Sequence, residues 1–231
     1  MTIHFHGTPI TPLSTLESMR GRHLCVSHMR PDQIEWADAN AQSLMLDNGA
    51  FSKWKSGKAV DWKGYYAWCD RWLDRPTTWA VIPDDIEAGS QEQDALIREW
   101  PHKDRGVPVY HLDEPLERAL RLLDEFPMVC FGANGEYARI PSDEFCARMD
   151  ELWSEIGRRH RRAPRIHMLR GLQLLGWHWP FYSVDSTDVA QNHNRLKRYG
   201  THYTMALDFK VDLWDAMQCP ARFEQGVEDL V

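Results

Sequence analysis

Short apolar runs alternate along this chain with longer segments whose apolar side chains recur every third or fourth position. The runs His23–Met29 (HLCVSHM), Ser43–Asp47 (SLMLD), Thr77–Ile82 (TTWAVI), Val107–Leu112 (VPVYHL), Met128–Phe131 (MVCF), Arg165–Leu169 and Phe181–Val184 (FYSV) read as buried strands, being apolar or β-branched and bounded by turn residues. Helices are expected between them. Val60–Asp74 carries Trp62, Tyr65, Tyr66, Cys69, Trp72 and Leu73 at helical spacing. Ser90–Trp100 opens on Ser90, with Gln93 three residues on, the pattern of a capped start. Pro115–Phe126 has its proline in the first turn, and Ser142–Arg159 starts on a capping serine. Asp32–Asn40 and Gly171–Leu175 read as short helical pieces. Residues 1–22, with Pro9 and Pro12, read as an irregular lead-in. At the far end Val189–Tyr199 is expected to be helical, Met205–Phe209 a last strand or a helix start, and Val211–Met217 a terminal helix.

Strand and helix in strict alternation mean parallel βαβ units, and this many repeats favour a closed ring over an open sheet. The expected fold is therefore α/β, a single (β/α)8-type (TIM-like) barrel spanning residues 1–231, with the completeness of the ring left open. No Gly-x-Gly-x-x-Gly follows the first expected strand and no phosphate-binding P-loop is present, so neither dinucleotide nor NTP binding is indicated.

The acids fall in a pattern. Asp47, Asp84, Asp85, Glu136 and Asp185 each come directly after an apolar strand, and in a barrel those ends converge on one rim. Any one of them alone reads equally as a loop or capping acid. Together they suit acid/base work, attack on an anomeric carbon, or metal binding. His111, His167, Asp84 and Asp185 form the candidate ligand set for a metal-dependent hydrolase; His4 and His6 have ligand spacing but lie in the lead-in.

Composition narrows the partners. The net charge of −7 argues against a broadly basic nucleic-acid surface, although Arg158–Arg162 with Arg165, and Arg195 with Lys197 and Arg198, are local basic clusters. Five scattered cysteines without a Cys-x-x-Cys pair suit reduced thiols in the cytosol, with no cofactor or structural zinc indicated. No apolar run is long enough to cross a membrane, and the N-terminus lacks the form of a secretory signal.

Four segments, in order, resemble the tRNA-guanine transglycosylase superfamily, including its deazapurine DNA-modification branch. LDNGAF at Leu46–Phe51 is similar to the family's Asp-Ser-Gly-Gly-Phe motif. VIPDD at Val81–Asp85 is similar to a later Pro/Asp segment. CFGANGEY at Cys130–Tyr137 is similar to the loop that holds the incoming heterocycle. RIHMLRGLQLLGWHWPFYSVDST at Arg165–Thr187 is similar to the segment ending in the nucleophilic aspartate. Asn48 and Ala50 depart from the first motif, and the family's Cys-x-Cys-x-x-Cys…His zinc module has no counterpart.

The resemblance implies a minimal base-exchange enzyme that takes nucleic acid, DNA rather than tRNA, and a free 7-deazaguanine base. It implies Asp185 as nucleophile and Asp47 as acid/base. Asp84 or Asp85 would contact the base edge, with Asn48, Gly49, Asn134 and Glu136 around it and backbone groups of Gly132–Gly135 on its other edge. Phe51, Tyr110 or Trp177 would stack on the ring, and His111 and His167 would support the pocket. A glycosylase that lets water resolve the same intermediate is the close rival. A metal-dependent hydrolase and a barrel that only binds nucleic acid are the others.

Overall fold

The computed structural model describes residues 1–57, 61–192 and 203–223, apart from the side chains of residues 103 and 203–209. In chain order the elements are β1 (Ile3–Gly7), α1 (Leu13–Glu17), β2 (His23–Ser27), α2 (Ile34–Asn40), β3 (Ser43–Asp47), α3 (Ala50–Ser56), α4 (Trp62–Asp70), β4 (Thr78–Val81) and α5 (Ser90–Glu99). There follow β5 (Gly106–Val107), β6 (Val109–His111), α6 (Leu116–Glu125), β7 (Met128–Gly132), α7 (Asp143–Arg159), β8 (Arg165–Met168), β9 (Ser183–Ser186), α8 (Asp188–Asn192) and α9 (Tyr203–Ala216). All nine strands join one parallel sheet in the order β5-β4-β3-β2-β1-β9-β8-β7-β6. The two outermost members are one stretch of chain interrupted at Pro108, so covalent continuity closes the ring. This is the expected barrel.

Strand alternation sorts the side chains into two layers. Phe5, Cys25, Met45, Val81, Val107, Val109 and Cys130 fill the interior. Residues of opposite parity face the helices: Leu24, Leu44, Leu46 and Ala80 on one half, Tyr110, Phe131, Ile166 and Val184 on the other. In α7, Phe145, Met149, Leu152, Trp153 and Ile156 form one apolar face, and all are buried in the second half. Ser142 Oγ caps that helix by accepting from Phe145 N.

Several boundaries differ from the sequence reading. The lead-in contains a strand: β1 lies between β2 and β9 and completes the ring, so His4 and His6 sit on a barrel stave. Its IHFHG pattern lacks the apolar signature of a buried strand because its outward residues are histidines. The last strand runs two residues further than expected, to Ser186, which puts Asp185 inside the strand. Gly89, not Ser90, is the N-cap of α5, and Gln93 turns instead toward Asp85 and His111. Of the two readings of Met205–Phe209, the helix start holds, since it lies near the beginning of α9. Val60, the end of the expected Val189–Tyr199 helix, and the Arg195, Lys197 and Arg198 cluster fall outside the described residues. Among the described residues no helix is long and apolar enough to cross a membrane. All five cysteines are free.

Candidate active site at the barrel mouth

The C-terminal ends of the strands open into a cavity of about 1090 Å³, lined among others by Asp47, Asn48, Phe51, Asp84, His111, Gly132, Asn134, Arg170 and Asp185. That exceeds the upper end of ordinary small-ligand sites, roughly 1,000 Å³.

Asp47 reaches the cavity by parity: Met45, two residues earlier, is in the barrel interior, so Asp47 points the same way at the rim. Burial pushes its carboxyl from 3.8 up to about 6; Ser27 and the Gly49 amide oppose the rise by donating hydrogen bonds, and Asp185 and Asp84 add to it. Gly49 does not line the cavity. Its φ of 74° turns the chain from β3 into α3, and a Cβ there would stand 2.5 Å from Met29 Cγ. Asn48 is buried and fully engaged: its Nδ2 donates to Ile82 O at 2.9 Å and Asp84 Oδ1 at 2.8 Å, and its Oδ1 accepts from Ala50 N at 2.8 Å. It stands in for a backbone link between the β3 and β4 ends.

Asp84 Oδ2 lies 2.9 Å from His111 Nε2. On the other side of that ring Gln93 Nε2 is 3.2 Å from Nδ1, which sets Nδ1 as the acceptor and Nε2–H as the donor to Asp84. Burial opposes protonation of His111, but the hydrogen bond and charge of Asp84, with Glu114 and Asp113, outweigh it and raise the imidazole above its ordinary value. Glu114 Oε2 in turn accepts from the His111 amide at 2.8 Å and from Arg118 at 2.7 Å.

Across the cavity Asp185 Oδ1 accepts the Arg170 amide at 2.7 Å. His167 Nε2 lies 3.3 Å from the same oxygen, outside hydrogen-bond alignment, beneath the cavity floor and fully buried. Ser183 Oγ lies 2.8 Å from His167 Nδ1. Arg170 is held at φ 58°, a left-handed conformation rare outside glycine, and this aims both its amide and its side chain at the site. Its guanidinium donates to Ala133 O at 2.9 Å and lies 4.5 Å from the centroid of Phe51. Asn134 pairs with Asp113 at 2.7 Å, and Gly132 admits His111, whose Cδ2 would stand 3.1 Å from any Cβ there.

Some expected residues are elsewhere. Tyr110 immediately precedes His111 on β6 and so faces the helices; it is fully buried, with its hydroxyl donating to Glu114 O. Asp85 and Glu136 are exposed and do not line the cavity. Trp177 lies outside the mouth, stacked on Trp179 at 5.2 Å. His111, His167, Asp84 and Asp185 do not gather as metal ligands. They form two separate pairs, and among the described residues the one group of three with ligand atoms within 4.8 Å is His4, His6 and Asp215. The Arg158–Arg162 cluster ends α7, just before β8 begins, which is the end of the barrel opposite the mouth. Arg170 and Gln93 were not anticipated. Only the left-handed turn of Arg170 gives it its role, and no pattern in the sequence announces that.

The mouth thus has an acidic floor and a mixed rim, with Glu87, Asp113 and Asp188 in the lining as well as aromatic and basic side chains. Phe51 and Trp54 are 41% and 46% exposed on α3, with ring centroids 5.7 Å apart, and Arg30, Lys55 and Arg170 share the lining. No family model matches this chain, and neither does any curated protein or solved structure.

Proposed function

We propose that the barrel mouth exchanges a guanine-type base in nucleic acid, DNA in preference to tRNA, for a free 7-deazaguanine derivative, through a covalent intermediate on Asp185. The observation that carries this reading is that two carboxylates of unlike environment line one cavity. Asp47 holds its proton up to about pH 6, and Asp185 is oriented by a backbone amide. A pair so divided suits one group that transfers a proton and one that attacks carbon.

In the first half-reaction an Asp185 oxygen forms a bond to C1′ of the sugar as the bond from C1′ to the base nitrogen breaks. The electron pair of that bond leaves with the base, and Asp47 supplies the proton. In the second half the incoming base loses its ring N–H proton to Asp47. The freed nitrogen attacks C1′, and the ester bond breaks to restore the Asp185 carboxylate. Water entering instead gives hydrolysis. The aromatic and basic part of the rim supports a polymeric substrate: an extruded base stacks on Phe51 or Trp54 while Arg30 and Lys55 meet phosphates.

The test is incubation of DNA with labelled 7-deazaguanine bases. Label is expected in the polymer with the native protein and absent with Asp185→Ala, which should still bind DNA. Abasic sites without label would move the assignment to hydrolysis, and full activity in Asp185→Ala would remove the nucleophile.

A further inference from the structure

The outward face of β1 carries a polar cluster that the mouth does not use. His4 and His6 are 2% and 0% exposed, and their ring centroids are 4.2 Å apart. Facing them from α9 is Asp215. Its Oδ1 lies 2.9 Å from His6 Nε2 and 4.0 Å from His4 Nδ1. His4 Nδ1, the ring atom that faces Asp215, has no hydrogen-bond partner. An unpartnered polar atom in a buried site is costly and calls for an explanation.

We propose that His4, His6 and Asp215 bind a divalent transition-metal ion of the zinc class between β1 and α9. The donors are two imidazole nitrogens and one carboxylate oxygen, a set that zinc takes readily. Tetrahedral ligands about 2.1 Å from an ion stand about 3.4 Å from one another, and the two separations to Asp215 Oδ1 bracket that value. Small side-chain shifts therefore admit an ion. Outer partners are already in place: His4 Nε2 lies 2.9 Å from Ser186 Oγ, a contact that leaves Nδ1 to face Asp215. Arg22 donates to Asp215 Oδ2 at 2.8 Å and turns Oδ1 toward the rings, although its charge lowers the attraction for a cation. The Asp215 side chain is 22% exposed, which leaves a path for the ion and for a water in the fourth position. The ion would fasten α9 to β1.

This site is independent of the chemistry assigned to the mouth, and so is its test. The full chain is purified from zinc-supplemented culture and its metal content measured. Cobalt(II) is then titrated into the chelator-treated protein, and thermal unfolding is followed with and without zinc. One zinc per chain is expected, with the visible spectrum of four-coordinate cobalt and a rise in melting temperature on adding zinc. His6→Asn and Asp215→Asn should lose all three, and Asp185→Ala should keep them. If His6→Asn does not fold, Asp215→Asn decides alone, its position being partly exposed. Zinc no higher in the native chain than in Asp215→Asn would overturn the proposal, as would loss of zinc in Asp185→Ala.

Discussion

Asp47 combines two demands that pull against each other. A proton shuttle needs a value near the working pH, and burial supplies it, but burial also charges the fold for an ionised carboxylate. The sign follows from the raised value. Below about pH 4 the group is protonated in both states and costs nothing. Between about pH 4 and 6 the folded chain keeps a proton that the unfolded chain has released, so stability falls as pH rises; above that the cost is complete. The rise from 3.8 to about 6 corresponds to roughly 3 kcal/mol. Asp47→Asn is therefore expected to raise stability at pH 7 by up to ~3 kcal/mol and to flatten this slope, measured by denaturant unfolding at several pH values. In the same variant turnover should drop by roughly 10²–10⁴-fold, and the limb of the pH–rate profile near pH 6 should vanish. Asp47, Asp84 and Asp185 were legible in the sequence because each comes at or just after the end of an apolar run. Arg170 was not, because its contribution depends on a backbone conformation that its neighbours do not advertise.

At the scale of elements, the turn from β3 into α3 sets up the site. Gly49→Ala combines a left-handed backbone with a Cβ pressed on Met29, and should cost roughly 2 kcal/mol. Because the same turn aims Asp47 and Asn48, activity should fall more than stability alone accounts for; unfolding and turnover measured together would separate the two. The exposed face of α3 makes a different prediction. Phe51→Ala and Trp54→Ala should leave stability unchanged and weaken single-stranded DNA binding about tenfold each, as expected where a base–aromatic stack worth about 1–3 kcal/mol is lost. Equal binding by the native chain and both variants would place the polymer elsewhere. Strand parity explains what the sequence did and did not disclose here. Tyr110 and His111 are consecutive on a strand and cannot both face the pocket. Once His111 is inside, Tyr110 belongs to the helix layer. Asp84 and Asp85 lie beyond the end of β4, in the loop after Pro83, where Asp84 is buried at the mouth and Asp85 is exposed.

At the scale of the molecule, the alternation of strands and helices was enough to identify the barrel. What it missed was β1, the stave that joins the two halves between β2 and β9. The miss has a physical cause. Buried histidines carry the polar signature of a loop, and their shelter, α9, lies some two hundred positions away in sequence. The interruption at Pro108 has a consequence of its own. Closure on that side depends on two short ladders joined by one interrupted stretch of chain, Gly106 and Val107 against β4 and Val109–His111 against β7, whereas β2 and β3 are paired along five residues; β1–β2 and β8–β9 are also registered over two residues, but between uninterrupted strands. The ring therefore has a seam, and the Asp84–His111 hydrogen bond is a clasp across its top. Asp84→Asn should loosen it: the Ile82 amide, bonded to Val107 O, and the Cys130 amide, bonded to Pro108 O, should exchange with deuterium faster, while amides of β2 and β3 keep their native rates. A substrate that engages Asp84 would then hold the barrel shut at this seam, so that binding at the mouth would be felt as slowed exchange along the wall beneath it.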